Sequence, residues 1–120
     1  MNEKMNPKFP LSKVLITLGL LALNWMTPSA FALDAAAAES LARQNGCFKC
    51  HAIDKKKEGP PLREISAKYK GKGEAEARLI THITSGEKAK FPDGHEEEHK
   101  IIKTKDMNEI KNLVQWILSI

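Results

Sequence analysis

Five residues constrain this chain more than any others: Cys47-Phe48-Lys49-Cys50-His51, a C-x-x-C-H run that holds both cysteines of the 120-residue sequence. That spacing is the attachment signature of c-type haem. Two thiols three positions apart on one helical turn can each add to a vinyl group along one porphyrin edge. His51 is then held beneath the iron as its proximal ligand, and histidine is a standard axial ligand to haem iron. Thioether bonds also let a very short chain retain a large cofactor.

Other readings of the cysteine pair are weaker. Half of a zinc site would need further ligands, and neighbouring histidines are the sole source of them. A thioredoxin-type redox pair expects a βαβ surround, whereas no strand pattern is visible. A structural disulfide across two residues of a helix has poor geometry. With both thiols committed to thioethers, no disulfide is expected.

The N-terminus reads as a secretory signal. Met1 to Lys13 carries Lys4, Lys8 and Lys13 against Glu3, Val14 to Trp25 is apolar apart from Thr17 and Asn24, and Ala30-Phe31-Ala32 fits an A-x-A cleavage site. The apolar run is short for a membrane span, although an uncleaved anchor is the alternative. Cleavage after Ala32 makes residues 1–32 a signal peptide and 33–120 the mature domain, expected in the periplasm and free of the membrane. Losing three lysines and one glutamate lowers the formal charge from +4 to +2. That is not the balance of a nucleic-acid binder. The remainder is one domain whose apolar core would be marginal alone, so a flat apolar cofactor and the fold should depend on each other.

Helical patterns fill most of that domain. Asp34 to His51 is expected as one helix, with four consecutive alanines as good helix formers and Leu41, Asn45 and Phe48 on one face. Gly46 falls mid-pattern, where a missing side chain would admit another helix. Ala52 to Pro61 is a loop broken by Gly59-Pro60-Pro61. The Pro60 carbonyl is a candidate acceptor for the far nitrogen of His51, orienting the ring. Short helices are expected over Arg63–Tyr69 and Glu74–Thr84, the latter with Ala75, Leu79, Ile80 and Ile83 inward and Ser85-Gly86 as its stop. Glu87 to Thr104 is a polar eighteen-residue loop with a Phe91-Pro92-Asp93-Gly94 turn, and a loop this long in so small a domain is usually functional. The last helix begins near Asp106, which is spaced with Glu109 as a capping box. Its stripe is Ile110, Leu113, Val114 and Ile117, and Trp116 is expected in the core, across the first helix near Gly46.

These residues together resemble the small bacterial class I cytochromes c. The resemblance covers essentially the whole mature chain: the haem motif, the Gly59-Pro60 loop, Lys68-Tyr69-Lys70-Gly71 and the terminal Leu113-Val114-Gln115-Trp116-Ile117-Leu118 helix. It implies an all-α cytochrome c fold, about four helices wrapped around one covalent haem c bound through Cys47 and Cys50. It also implies His51 as proximal ligand, Pro60 as its carbonyl partner, crossed first and last helices, and electron transfer in the periplasm. One departure stands out. The family usually places a methionine, the distal iron ligand, in the loop before the last helix, and Glu87 to Thr104 contains none. The sole mature methionine, Met107, lies beyond that position.

Aligning the last helices puts the usual ligand near Glu97 to His99. His99 is therefore the first candidate for the sixth position, His95 the second and Met107 the third, with an open iron or His82 remaining. His95 and His99 also read as solvated loop residues, and His82 as a structural or surface residue. Imidazole favours ferric iron more than a thioether does, so a His51/His99 haem implies a lowered potential, and Glu96, Glu97 and Glu98 would act in the same direction. The expected function is a monomeric, non-enzymatic one-electron shuttle among periplasmic redox proteins. Lys49, Lys55, Lys56 and Lys57 lie near the haem motif, either to steer an acidic partner or simply as solubilising charge. A binder or sensor of a small gas (NO, O2 or CO) with a displaceable sixth ligand is the alternative, and a haem subunit of a larger oxidoreductase a third reading.

Overall fold

A computed structural model describes residues 31–120. The expected signal peptide therefore lies outside the described residues, except for Phe31 and Ala32. The elements are helix α1 (Ala35–Gln44), a 3-10 turn (Cys47–Lys49), helices α2 (Leu62–Tyr69) and α3 (Ala75–Ser85), strands β1 (Lys88–Lys90) and β2 (Glu96–Glu98), and helix α4 (Met107–Ser119). None of the described helices is long and apolar enough to cross a membrane. The expected four-helix architecture is present, with one addition and several local corrections.

Helix α4 is the hub, since α1, α2 and α3 all pack against it. Its stripe buries Ile110, Leu113, Val114 and Trp116 together with one polar residue, Asn112. The α1 face differs from the expected one. Ala38 and Ala42 are fully buried and Leu41 only partly, so the inward stripe runs Ala38, Ala42, Asn45. Small side chains here let α1 come close to α4, the role anticipated for Gly46. Trp116 does join the core, where its ring meets Phe48 edge-to-face at 6.4 Å and 82°.

The first helix does not run on to His51. It ends at Gln44, and Gly46 adopts the left-handed conformation at φ +70°, which glycine reaches at little cost and which commonly terminates helices. A Cβ on Gly46 would meet the Lys100 ammonium and the Lys49 side chain, not a helix. This turn re-aims the chain so that the C-x-x-C-H segment starts a new, tighter coil.

The second correction lies in the Glu87–Thr104 segment. An antiparallel hairpin forms there, pairing Lys88 with Glu98, Ala89 with Glu97 and Lys90 with Glu96. All three β2 residues are exposed, so no buried face imposes an apolar alternation. Oppositely charged residues directly across the strands support the pairing, and the Phe91-to-His95 turn closes it through backbone bonds from Phe91 N to His95 O and Gly94 N to Phe91 O, both 2.9 Å. The capping box is half made. The Asp106 side chain accepts from Asn108 N, but Glu109 takes the Thr104 hydroxyl instead of reaching back to Asp106.

Polar bridges fasten distant segments. Asn112 Oδ1 accepts from Asp34 N at 2.9 Å while its Nδ2 donates to Asp34 O at 2.7 Å. Asp34 in turn caps α1 through Ala37 N. Asn45 Oδ1 accepts from Lys103 N and its Nδ2 donates to Leu41 O. Because Asn112 is buried and fully used, Asn112→Ala is expected to cost about 1–3 kcal/mol. Denaturant unfolding of the haem-loaded protein measures this, and an unchanged midpoint would contradict the bridge.

Candidate haem site

The C-x-x-C-H segment is a compact coil. Both Cys50 N (3.2 Å) and His51 N (2.9 Å) donate to Cys47 O, which wraps Cys47, Cys50 and His51 into one turn. The two sulfurs are not joined in a disulfide. Burial raises the Cys47 thiol above its ordinary range, and Cys50 is raised by burial and by a hydrogen bond to Glu58. The nearby Lys100 ammonium opposes both shifts without cancelling them.

The loop after the motif holds the His51 ring. His51 Nδ1 donates to the Pro60 carbonyl at 2.7 Å, leaving Nε2 as the free nitrogen. The loop closes on itself through Gly59 N to Cys50 O at 2.8 Å, then docks by Leu62 N to Ala52 O at 2.9 Å. Gly59 does more than break a helix. A Cβ there would stand 2.6 Å from His51 Cε1 and 2.8 Å from His51 Nδ1, closer than such atoms can approach. The ring therefore occupies the space that the missing side chain leaves.

His99 is brought to the same region. Its ring centre lies 6.3 Å from that of His51, with 46° between the planes. His99 Nδ1 donates to the Lys100 carbonyl at 3.0 Å, so its Nε2 is also free. Burial chiefly, and then the neighbouring His82 and His51, hold His99 below the usual imidazole range, which keeps it neutral and able to donate a lone pair near pH 7. His82 packs against His99 with ring centres 4.1 Å apart.

The other two candidates are elsewhere. His95 stacks on Phe91 at 4.5 Å and 15° in the hairpin turn, and its two nitrogens face the Asp93 and Glu97 carboxylates. Met107 occupies the first turn of α4, 46% exposed. The sequence marks Gly59 only as a helix breaker and His82 only as a residual sixth-ligand candidate or a structural residue. For Gly59 the signal was its position directly before Pro60. For His82 there was no local signal, because its neighbour is supplied by a segment seventeen residues later.

The cytochrome c family model matches residues 35–120, which is nearly all of the described chain. This chain belongs to the cytochrome c family, and within it to the small monohaem class I proteins. It is 34% identical over 82 residues to cytochrome c-552 of Hydrogenobacter thermophilus, covering 68% of this chain and 80% of that one. Against cytochrome c-551 of Pseudomonas aeruginosa the identity is 44% over 48 residues, which spans 40% of this chain and 46% of that relative, less than half its length. Among solved structures, the class 1 cytochrome MtoD from Sideroxydans lithotrophicus ES-1 matches with a TM-score of 0.71 and 64% identity, over 73% of this chain and 97% of that one. Nitrosomonas europaea cytochrome c552 matches with 0.54 and 29%, over 68% and 96%. Membership brings one covalent c-type haem. The donor set fits it: two unpaired thiols on one turn, beside an imidazole whose Nε2 is free.

Two outcomes follow from this geometry. Gly59→Ala is expected to lower the unfolding midpoint of the haem-loaded protein and shift its absorption spectrum. Gly73→Ala is the control, since a Cβ there meets nothing within 4 Å. The hairpin turn should depend on pH in two directions. Hydrogen bonding to Asp93 raises His95 above its usual 6.5, so its stabilisation is full below that value and fades as pH rises through the folded value. Asp93 is lowered from 3.8 by hydrogen bonds from His95, so its share is present above that value and lost on acidification. Amide exchange at Phe91 and Gly94 is the measurement, and protection indifferent to pH from 5 to 8, roughly the window imidazoles titrate in, would contradict the coupling.

Proposed function

We propose that this chain is exported, loses residues 1–32, and works as a one-electron carrier whose single haem is ligated by His51 and His99. When bound, haem c supplies the ferric/ferrous couple, and the chain's task is to hold it, exclude competing ligands and set its potential. Cys47 and Cys50 anchor the porphyrin, and Pro60 orients His51 through Nδ1.

The separation of the two imidazoles carries this reading. A metal–imidazole nitrogen bond is about 2.0–2.1 Å, and ring bonds of about 1.3–1.4 Å leave each nitrogen roughly 1.1–1.2 Å from its ring centre. Two imidazoles facing each other through one ion would therefore have centres about 6.2–6.6 Å apart, a range that holds the 6.3 Å between the ring centres of His51 and His99. Backbone carbonyls bind Nδ1 of both rings, which is the outer-shell support that metal-bound histidine usually has. Carboxylates occupy both nitrogens of His95, and Met107 stands exposed at a helix start, so neither offers a free and oriented donor. With His99 beside His51, no observation favours an open sixth position, and the gas-binding alternative is set aside.

Electron exchange with other redox proteins of the periplasm is the role that fits a six-coordinate iron. Lys49, Lys55 and Lys56 are exposed near the motif and are free to steer an acidic partner. Lys57 is also exposed, but its ammonium already donates to the Phe48 carbonyl at 2.7 Å.

The ferric protein should show a bis-imidazole low-spin spectrum without the red band that sulfur ligation gives. The reduced protein should react slowly with carbon monoxide. His99→Ala should bind it rapidly, and His99→Met should raise the potential by on the order of 100 mV, a fraction of the roughly 0.8 V that axial ligands span. A parent protein with a sulfur-ligated spectrum would overturn the assignment.

A further inference from the structure

Behind His99 stands a group of side chains that the ligand set does not use. Arg78 and His82 lie four residues apart on α3, hence on one helix face. Helix α3 ends at Gly86 in the left-handed conformation, φ +71°, which turns Glu87 back over that face. The Glu87 carboxylate then takes the His82 Nδ1–H and, at 2.7 Å, Arg78 Nη1. The backbone carbonyl of the same Glu87 accepts from His99 N at 2.9 Å. His82 closes the circuit by packing its ring on that of His99, 4.1 Å between centres at 43°.

Two further contacts fix this segment. Ile102 N donates to Ile83 O at 2.9 Å. A Cβ at Gly86 would lie 3.1 Å from Ile101 Cδ1, so the chain after His99 passes against the bare glycine. His99 is thus held by its own backbone, by the residues following it and by the face of its ring, and all three holds come from the end of α3.

We infer that His82, set by Glu87 and Arg78, is the positioning residue for His99: it backs the imidazole and restricts its rotation, so that Nε2 stays directed at the iron in both oxidation states. This deepens the proposed His51/His99 ligation and rests on it. Glu87 is the joint of the device, because one residue grips the buttress with its side chain and the ligand with its backbone. A buttress removes alternative ring orientations before ligation, and loss of such outer-shell partners commonly costs a metal site about 10- to 100-fold in affinity.

The test uses the full haem-loaded protein. Carbon monoxide is mixed with the reduced form of the parent, His82→Ala, His82→Phe and Glu87→Gln, and the ferric spectrum of each is recorded. His82→Ala should keep the bis-imidazole ferric spectrum while carbon monoxide replaces His99 about 10- to 100-fold faster. His82→Phe retains a ring against His99 but not the Glu87 bond, and Glu87→Gln retains His82 but weakens its hold. Both should fall between parent and alanine variant, and they decide the matter if His82→Ala does not accumulate. Parental carbon monoxide rates in the variants, with the bis-imidazole parent spectrum intact, would overturn the buttress and leave the ligation standing. A lowered unfolding midpoint with unchanged rates would also overturn it, as a merely structural role. A parent lacking the bis-imidazole spectrum overturns both, and a bis-imidazole spectrum that survives His99→Ala but not His82→Ala would make His82 the ligand itself.

Discussion

In the proposed site, a ring that offers one nitrogen to the iron is held by the other. His51 meets this demand through a single bond, Nδ1 to the Pro60 carbonyl at 2.7 Å, and the surrounding loop is shaped to make that bond. Gly59 leaves the space in which the ring sits, and its N–H returns to Cys50 O, so the loop cannot drift from the motif. Leu62 N and Arg63 N then tie the start of α2 to Ala52 and Ile53. The direction of one imidazole thus propagates into where α2 begins, and α2 is fixed in turn by the Ser66 hydroxyl donating to Leu118 O near the end of α4.

The helical frame achieves its rigidity with little apolar volume. Leu113 and Val114 are the largest side chains wholly buried, each contributing about 1.5–3 kcal/mol. A core of that size is small for an independent fold. Directional polar contacts make up part of the difference: Asn112 clasps both backbone groups of Asp34, and Asn45 clasps Lys103 N. Every buried side-chain polar atom among the described residues has a partner, so none of these bridges leaves an unpaired group behind. A haem held by Cys47 and Cys50 would add its own apolar surface to that core.

Much of this frame was legible because helices facing a core advertise a period. The α3 and α4 stripes, and the stop at Gly86, were readable from apolar spacing and glycine placement alone. The α1 face was legible only in part: Asn45 is buried and Leu41 and Phe48 pack against the core, but Ala38 and Ala42 are the most buried positions, and alanine registers as a helix former rather than as core. The hairpin left no period because neither face is buried, and its true signals were the Phe91-to-Gly94 turn and the alternation of lysine in β1 against glutamate in β2. At the site, Pro60 and His99 could be placed by position in the loops. The His82 contact could not, since it arises where segments seventeen residues apart meet, and the Gly59 void was marked only by the glycine standing before Pro60.

Charge and ligand identity are unequal partners in setting a potential here. Glu96, Glu97 and Glu98 are all exposed, where water and salt screen a charge within about 8–10 Å. Lys88 and Lys90 stand directly across from Glu98 and Glu96 and offset two of the three. Glu97 spends its carboxylate on His95. Lys100 acts with opposite sign on the motif cysteines. The hairpin acids therefore count for less than their number suggests, and under the proposed His51/His99 ligation any lowering would come from replacing a thioether by imidazole. On that proposal the residues that fix His99 matter more to the redox behaviour of this chain than the charges that surround it.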